Sequence, residues 1–206
     1  MNLNDALAMI AADWGFDAHE LIAYANEDTI GGYPERWYTG SLWDVEGRTL
    51  YAIVRALRPA RVVEFGSWKG CSGSHLAAAL VANDYGELVC VDPYAPHIEW
   101  FAPELRSRIS IIGATAEHWL ANNTLNNVGL LYEDTYHARE TVASVWTAAR
   151  ERMPAGGVAI SHDALHETSW AEVQAGMSQA VGDAWRAYMI EPSDTGLGMW
   201  RKGGTA

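Results

Sequence analysis

The sequence predicts a doubly wound α/β fold, in which a mostly parallel sheet carries helices on both faces and has an antiparallel edge. After Pro59, short apolar runs of four to six residues alternate with segments of helical pattern. The runs lack the apolar–polar alternation of half-exposed strands, so they fit strands buried on both faces of a parallel sheet. Two apolar runs near the C-terminus can form an antiparallel hairpin at the edge.

The N-terminal part is predicted to form helices before the sheet begins. Residues 3–13 and 17–26 fit two short helices. Asp17 can cap the second one, because Glu20 follows three residues later and completes a capping box. Apolar residues then recur at helical spacing over Asp44–Leu57, which predicts a third helix.

A glycine-rich loop, residues 27–43, separates the second and third predicted helices. It carries an excess of aromatic residues, namely Tyr33, Trp37, Tyr38 and Trp43. These side chains can form an apolar wall over a bound ligand, or they can pack against the domain or a second subunit. We therefore divide the chain into an extension, residues 1–43, that is a cap or an interface, and a domain, residues 44–206.

Seven apolar runs are predicted to be strands. They are Arg61–Phe65, Leu88–Val91, Ile109–Ile112, Val128–Tyr132, Val158–Ser161, Trp185–Ile190 and Leu197–Arg201. Helical patterns lie between them at Ser72–Ala82, Trp100–Arg106, Ala116–Ala121, His137–Arg152 and Ser169–Val181. This order of elements is typical of a doubly wound sheet.

Composition and charge exclude several kinds of function. The chain has 206 residues, of which 49% are hydrophobic and 19% are charged, as in a globular domain that buries a full core. Its formal net charge of −12 disfavours nucleic acids and anionic membranes, because phosphate contacts need basic residues. The sequence shows no signal peptide, no apolar run of roughly 18 residues and no disulfide pattern, so we expect a cytoplasmic protein.

Four acidic residues stand at, or directly after, the ends of predicted strands. They are Glu64, Asp92, Asp134 and Asp163. Ligands bind outside the carboxyl ends of the strands in an open α/β sheet. Each acid alone can simply cap the next helix, but four of them at one edge indicate a ligand site.

The turn after the first predicted strand reads EFGSWKGCS, residues 64–72. A dinucleotide fingerprint would need glycine at positions 66, 68 and 71, and Trp68 and Cys71 occupy the last two. The Gly-Lys-Ser/Thr ending of a phosphate-binding loop is also absent. The turn lets a ligand approach the backbone at Gly66 and Gly70, and its acid favours a cationic or hydroxyl-rich ligand.

This segment resembles the first motif of class I S-adenosylmethionine-dependent methyltransferases. VVEFGSWKGCSGSHLA is similar to their E/D-x-G-x-x-x-G-x-S pattern, above all in the group of small-molecule O-methyltransferases and cephalosporin-hydroxylase-like proteins. The resemblance covers about residues 55–203, with Glu46-Gly47 before it, and continues through CVDPY, GATAE, EDTYH and PAGGVAISHD. It implies a Rossmann-like sheet of seven strands. The chain departs from the family pattern at Ala114, Glu133 and Thr135.

The resemblance also implies a site for S-adenosylmethionine. Glu64, Gly66 and Gly70 would line its methionine part, and Asp92 would hold the ribose hydroxyls. The full set of predicted cofactor residues is Glu64, Gly66, Ser67, Trp68, Gly70, Ser72, Asp92, Pro93, Thr115, Ala116 and Asp134. The chemistry agrees, because a carboxylate accepts two hydroxyls and a sulfonium cation tolerates nearby acids.

The predicted catalytic residues are His162, Asp134 and His137. His162 would be the general base, assisted by Asp134 or a bound metal, and His137 has the alternative of an exposed residue at a helix start. By the resemblance, Asp134 and Asp163 would bind a divalent cation, and His162, which stands where some metal-binding relatives carry an acid, is the third candidate ligand. Carboxylates suit Mg²⁺, whereas histidine favours a softer cation or no metal.

The sequence thus predicts methyl transfer from S-adenosylmethionine to a small-molecule acceptor, at a hydroxyl group. One alternative is a non-methylating reaction with the same cofactor, and another is an inactive scaffold. The glycine pattern argues against an NAD-dependent oxidoreductase. We expect a small-molecule substrate, no nucleic-acid or membrane partner, and a homodimer.

Overall fold

The computed structural model describes residues 1–27, 42–167 and 170–203. Its strands are β1 Arg61–Phe65, β2 Glu87–Val91, β3 Ile109–Ile112, β4 Val128–Glu133, β5 Val158–Ser161, β6 Arg186–Tyr188 and β7 Leu197–Arg201. Its α-helices are α1 Leu3–Trp14, α2 Ala18–Ala25, α3 Asp44–Leu57, α4 Cys71–Ala82, α5 Ala116–Asn122, α6 Arg139–Arg152 and α7 Trp170–Val181.

The strands form one seven-stranded sheet in the order β3-β2-β1-β4-β5-β7-β6. β1 pairs in parallel with β2 and β4, β4 pairs in parallel with β5, and β7 pairs antiparallel with β5 and β6. The predicted fold class is confirmed. The carboxyl ends of β2, β1, β4 and β5 meet at one edge, which brings the predicted acids together.

Successive residues of the central strands point to opposite faces of the sheet. On β1, Val62 packs into the core that contains α1 to α4, whereas Val63 and Phe65 pack into the core that contains α5 to α7. The central strands are therefore buried on both faces, as their non-alternating apolar pattern predicts, whereas the edge strand β3 alternates between intermediate and exposed residues despite its apolar sequence.

The N-terminal helices are attached to the antiparallel edge of the sheet. The indole of Trp14 donates to the hydroxyl of Tyr188 over 2.7 Å, and that hydroxyl donates to Asp13 over 2.6 Å. The backbone N–H of Glu191 donates to the carbonyl of Met1 over 2.9 Å. These bonds hold the extension against the edge hairpin. Among the described residues, no helix has the length and apolar character that crossing a membrane requires.

The helix predicted over Trp100–Arg106 is wrong. The structure has two short 3₁₀ turns there instead, Ile98–Trp100 and Arg106–Arg108. Pro103 explains the failure, because proline lacks the N–H of a helical bond and disfavours helical geometry in the residue before it. Other predicted elements differ only at their ends. Ser169 and the loop aromatics Tyr33, Trp37 and Tyr38 lie outside the described residues.

Candidate active site

The turn after β1 places the backbone of Gly66 against the end of β4. The N–H of Gly66 donates to the carbonyl of Val91 over 3.0 Å, and that of Asp134 donates to the carbonyl of Phe65 over 2.9 Å. Gly66 has a φ of +86°, and a Cβ there would lie 1.9 Å from the carbonyl oxygen of Asp134. Only glycine fits this turn, which keeps the ends of β1, β2 and β4 together.

A cavity of about 450 Å³ opens beside this turn. It is lined by Gly66, Trp68, Val91, Asp92, Pro93, Tyr94, Thr115, Ala116, Glu117, Asp134, Thr135, Tyr136 and Thr141. Most of the predicted cofactor residues are in this set, namely Gly66, Trp68, Asp92, Pro93, Thr115, Ala116 and Asp134. The structure therefore gathers them around one space that suits a small ligand.

Asp92 joins the end of β2 to the turn after β1. One of its carboxylate oxygens accepts from the N–H of Trp68 over 2.8 Å, and the other accepts from the N–H of Tyr94 over 2.6 Å. Trp68 adopts a φ of +37°, which is unusual for a non-glycine residue. Each oxygen keeps a further lone pair, so the carboxylate can also accept hydroxyls of a ligand in the cavity.

Glu64, Ser67, Gly70 and Ser72 are not among the residues that line this cavity. Glu64 is fully buried beneath the start of α4, where its carboxyl accepts from the hydroxyl of Ser72 and, over 3.2 Å, from the thiol of Cys90. Burial raises the pKa of Glu64 to about 7. Glu64 therefore links β1, β2 and α4 behind the turn.

Two acids and two histidines form a cluster at the ends of β4 and β5. The Nε2 atom of His137 lies 2.8 Å from Asp163 and 3.4 Å from Asp134. The Nδ1 atom of His162 lies 3.3 Å from Asp163 and 3.5 Å from Asp134. The acid pair is thus held between two imidazole rings. Asp163 adopts a φ of +54°, a conformation that aspartate tolerates better than most residues.

The charges of this cluster depend on one another. Burial alone would lower the pKa of His162, but Asp134, Asp163 and Glu46 raise it well above its usual range. Hydrogen bonds that His137 donates to Asp134 and Asp163 raise its pKa to about 10. Burial alone would raise the pKa values of the two aspartates, but the histidines lower both. At neutral pH the cluster therefore consists of paired carboxylates and imidazolium groups.

Among the described residues, Asp134, His162 and Asp163 form a group that can hold a metal ion. Each offers one ligand atom, and these atoms all lie within 4.8 Å of one another. Two carboxylates and an imidazole suit a divalent cation, although the proton on His162 would have to leave before that ring could bind it.

Glu46 on α3 completes the cluster, and the sequence analysis gave it no role. Its Oε2 atom lies 3.1 Å from Nε2 of His162, on the side of the ring away from the aspartates. Its Oε1 atom accepts from the hydroxyls of Ser193 and Thr195, over 2.7 and 2.8 Å, and from the N–H of Gly196 over 3.0 Å. The resemblance includes Glu46-Gly47 but implies no role for Glu46, and an acid in the first turn of a helix usually faces solvent.

The two unusual residues beside Asp134 are partners of each other. One carboxyl oxygen of Glu133 accepts from the hydroxyl and the N–H of Thr135, over 2.6 and 3.0 Å. The other accepts from the hydroxyl of Ser161 over 2.6 Å, and Ser161 in turn accepts from the indole of Trp146 over 2.8 Å. Burial raises the pKa of Glu133. This network supports the segment that presents Asp134 and Thr135 to the cavity.

Trp43, an aromatic residue of the predicted loop that lies within the described part of the chain, precedes α3. Its indole donates to Asp194 over 3.0 Å, and its side chain is partly exposed. It does not line the cavity. Trp43 therefore connects α3 to the segment before β7.

The segment that carries this site matches a known family. Residues 63–164 match the model of a family described as a methyltransferase domain. A comparison with curated protein sequences finds no significant match.

Several solved structures share the fold. The O-methyltransferase TomG from Streptomyces achromogenes, in complex with S-adenosylmethionine, has a TM-score of 0.64 and 13% identity, covering 93% of this chain and 99% of that chain. The Bacillus cereus O-methyltransferase in complex with S-adenosylhomocysteine has a TM-score of 0.60 and 14% identity, covering 93% and 94%. CalS11, a TDP-rhamnose 3′-O-methyltransferase of calicheamicin biosynthesis, has a TM-score of 0.60 and 18% identity, covering 98% and 93%. At such identities these likenesses establish the fold.

The raised pKa of Glu64 makes the free energy of unfolding depend on pH, and the Glu64→Gln variant should lack this dependence. The folded-state pKa of about 7 exceeds the pKa of about 4.5 that a glutamate has in the unfolded chain. The stabilisation by the proton on Glu64 is therefore complete below pH 4.5 and is lost as pH rises through 7. The variant's free energy of unfolding, relative to wild type, should therefore improve by roughly 3 kcal/mol from pH 4 to pH 8. Urea unfolding at both pH values measures this.

Glu140→Gln, at an exposed acid in the first turn of α6, is the matched control for that experiment. An equal difference between Glu64→Gln and wild type at both pH values would show that the folded protein does not hold a proton on Glu64.

Proposed function

We propose that this class I S-adenosylmethionine-dependent methyltransferase, in which the match to the methyltransferase domain covers residues 63–164, methylates a hydroxyl group of a small molecule. The observation that carries the proposal is one cavity that reaches from the carboxylate of Asp92 to that of Asp134. The cluster of Asp134, Asp163, His137 and His162 adjoins the end of the cavity at Asp134. Cofactor and acceptor sites therefore adjoin each other.

The cavity suits S-adenosylmethionine. The turn at Gly66 brings backbone to its wall, Asp92 offers free lone pairs for two ribose hydroxyls, and Thr115 and Ala116 lie at the start of α5. The cavity volume of about 450 Å³ is of the size that a cofactor of this kind fills. No lysine or arginine is among the lining residues of the described chain, which fits a sulfonium cation better than a phosphate.

When bound, S-adenosylmethionine supplies a methyl group that its sulfonium makes reactive toward an oxygen nucleophile. The chain has to position the acceptor and remove its proton. We assign the proton acceptor to His137, because its side chain is 36% exposed, whereas that of His162 is 4% exposed and both its ring nitrogens face acids. The imidazolium of His137 has to lose its proton before it can accept another, and a cation bound by the two aspartates would favour that loss. Asp134 and Asp163 stabilise the imidazolium that His137 becomes, as the acid of a catalytic triad does.

We further propose that Asp134 and Asp163 bind a divalent cation. Their carboxylates suit a hard cation, and His162 adds a third donor of a softer kind. At this position the cation would supply positive charge that favours loss of the acceptor's proton.

The cofactor assignment is tested by calorimetric titration of Asp92→Ala with S-adenosylmethionine and S-adenosylhomocysteine. The variant should bind both at least about tenfold more weakly than wild type, because hydrogen bonds to a charged group contribute about 1.5–3 kcal/mol. Asp183→Ala, at an exposed acid after α7, should bind like wild type. Unchanged affinity of a folded Asp92→Ala protein would place the cofactor elsewhere.

The role of His137 is tested by His137→Gln in an assay that detects S-adenosylhomocysteine with a panel of small-molecule alcohols and phenols. Loss of the proton acceptor should lower kcat by about 10²- to 10⁴-fold, with little change in cofactor affinity. His19→Gln, at an exposed histidine of α2, is the control and should keep the wild-type kcat. Full turnover of His137→Gln would remove it from the mechanism.

The cation proposal is tested by titrating Mn²⁺ and Mg²⁺ into protein stripped of metal, and by adding a chelator to the turnover assay. Wild type should bind one cation, and Asp163→Asn should bind it at least about tenfold more weakly, because a ligand carboxylate is lost. Turnover that resists the chelator, together with no heat of cation binding, would contradict the proposal.

A further inference from the structure

Glu46 is a fully buried acid that lies outside the segment matched to the methyltransferase domain. It belongs to the first turn of α3, and the next residue, Gly47, packs against the ring of His75 so closely that a Cβ would lie 2.4 Å from it. This contact keeps the start of α3 close to α4. Glu46 is therefore held inside the protein by the packing of its own helix.

The two oxygens of Glu46 have different partners. Oε1 receives three hydrogen bonds from residues 193–196, the segment before β7. Oε2 faces Nε2 of His162 and also accepts from the N–H of Trp43, over 3.1 and 3.2 Å. A buried carboxylate needs such compensation, because an unpaired charge in the interior is costly. The bonds at Oε1 thus anchor the segment before β7, whereas Oε2 links the start of α3 to His162.

His162 connects Glu46 to the acid pair. Its Nε2 atom faces Glu46 and, over 3.2 Å, the hydroxyl of Thr195, which itself donates to Glu46. Its Nδ1 atom faces Asp134 and Asp163. Side-chain exposure falls steadily inward, from 36% at His137 and 12% at Asp163 to 4% at His162 and 0% at Glu46. The four residues thus form a row from the opening of the site to the core, with Glu46 at its buried end.

We propose that Glu46 is a positioning residue for the methyl transfer, which fixes the ring of His162 and through it the acid pair beside His137. This inference rests on the function proposed above. An acid that binds the far nitrogen of a functional imidazole fixes the orientation of the ring, and removing such a partner typically costs about 10- to 100-fold in metal affinity or activity. Glu46 does not touch the acceptor, so its effect reaches the reaction only through His162.

Glu46→Gln separates this role from anchoring. The side chain keeps its shape, and its amide oxygen can still accept from Ser193, Thr195 and Gly196. Its amide nitrogen then faces His162 and the N–H of Trp43, where an acceptor is required. Ser193→Ala is the matched control, because it removes a bond at Oε1 and leaves the contact with His162 in place.

The first test is a double-mutant cycle on kcat with wild type, Glu46→Gln, His162→Gln and the double variant. Glu46→Gln should lower kcat by about 10- to 100-fold, while KM and cofactor affinity stay within about twofold. In the His162→Gln background it should have no further effect, and Ser193→Ala should keep the wild-type kcat. Losses that multiply in the double variant, or an equal loss in Ser193→Ala, would overturn the proposal.

The second test needs no turnover. Proton NMR of the full chain with isotope-labelled histidine, which distinguishes the two ring nitrogens, should show a far-downfield, slowly exchanging Nε2–H signal of His162. It should disappear in His162→Gln, which assigns it, and also in Glu46→Gln. Melting temperatures of all variants check that they fold. A signal that persists in Glu46→Gln would overturn the proposal. If the signal behaves as expected but wild type methylates no acceptor, the contact stands and the proposed function fails.

Discussion

The contact between Gly66 and the carbonyl of Asp134 is the constraint on which the rest of the site depends. With 1.9 Å between that oxygen and the position of a Cβ, no other residue allows β1 and β4 to end so close together. The same turn sends Trp68 to the carboxylate of Asp92. One glycine therefore sets the wall of the cavity, the position of Asp134 and, through Asp92, the end of β2.

A second constraint is electrostatic, because several acids lie at one edge of the sheet and burying their charges is costly unless each is paired. The structure pairs these charges by placing acids and imidazole rings alternately. Carboxylates of Asp134 and Asp163 lie between the rings of His137 and His162, and Glu46 lies beyond His162. The acids raise the pKa of each imidazole they face, and the imidazoles in turn lower the pKa of Asp163. Replacing any single member of this row would be destabilising, since it leaves a charge without its partner.

The sequence was sufficient to predict the fold and most of the predicted cofactor residues that line the cavity, because both depend on local patterns. Short, mostly apolar runs predicted β1, β3, β5 and β7 with the same ends as in the structure. The prediction of a helix over Trp100–Arg106 failed because Pro103 interrupts it. Glu46 could not be predicted, because its partner His162 is 116 residues away and the acid resembles any exposed acid at a helix start.

The departures from the family pattern around Asp134 bear on whether the site is intact. Glu133 and Thr135 replace an apolar residue and a glycine, and without Thr135 one oxygen of the buried Glu133 carboxyl would lose both of its hydrogen bonds. Together they satisfy each other, and Ser161 and Trp146 complete the network. A half-satisfied polar network would destabilise the interior, whereas a complete one gives it a single arrangement. The paired substitutions therefore stabilise the segment that presents Asp134, which favours a working active site over an inactive scaffold.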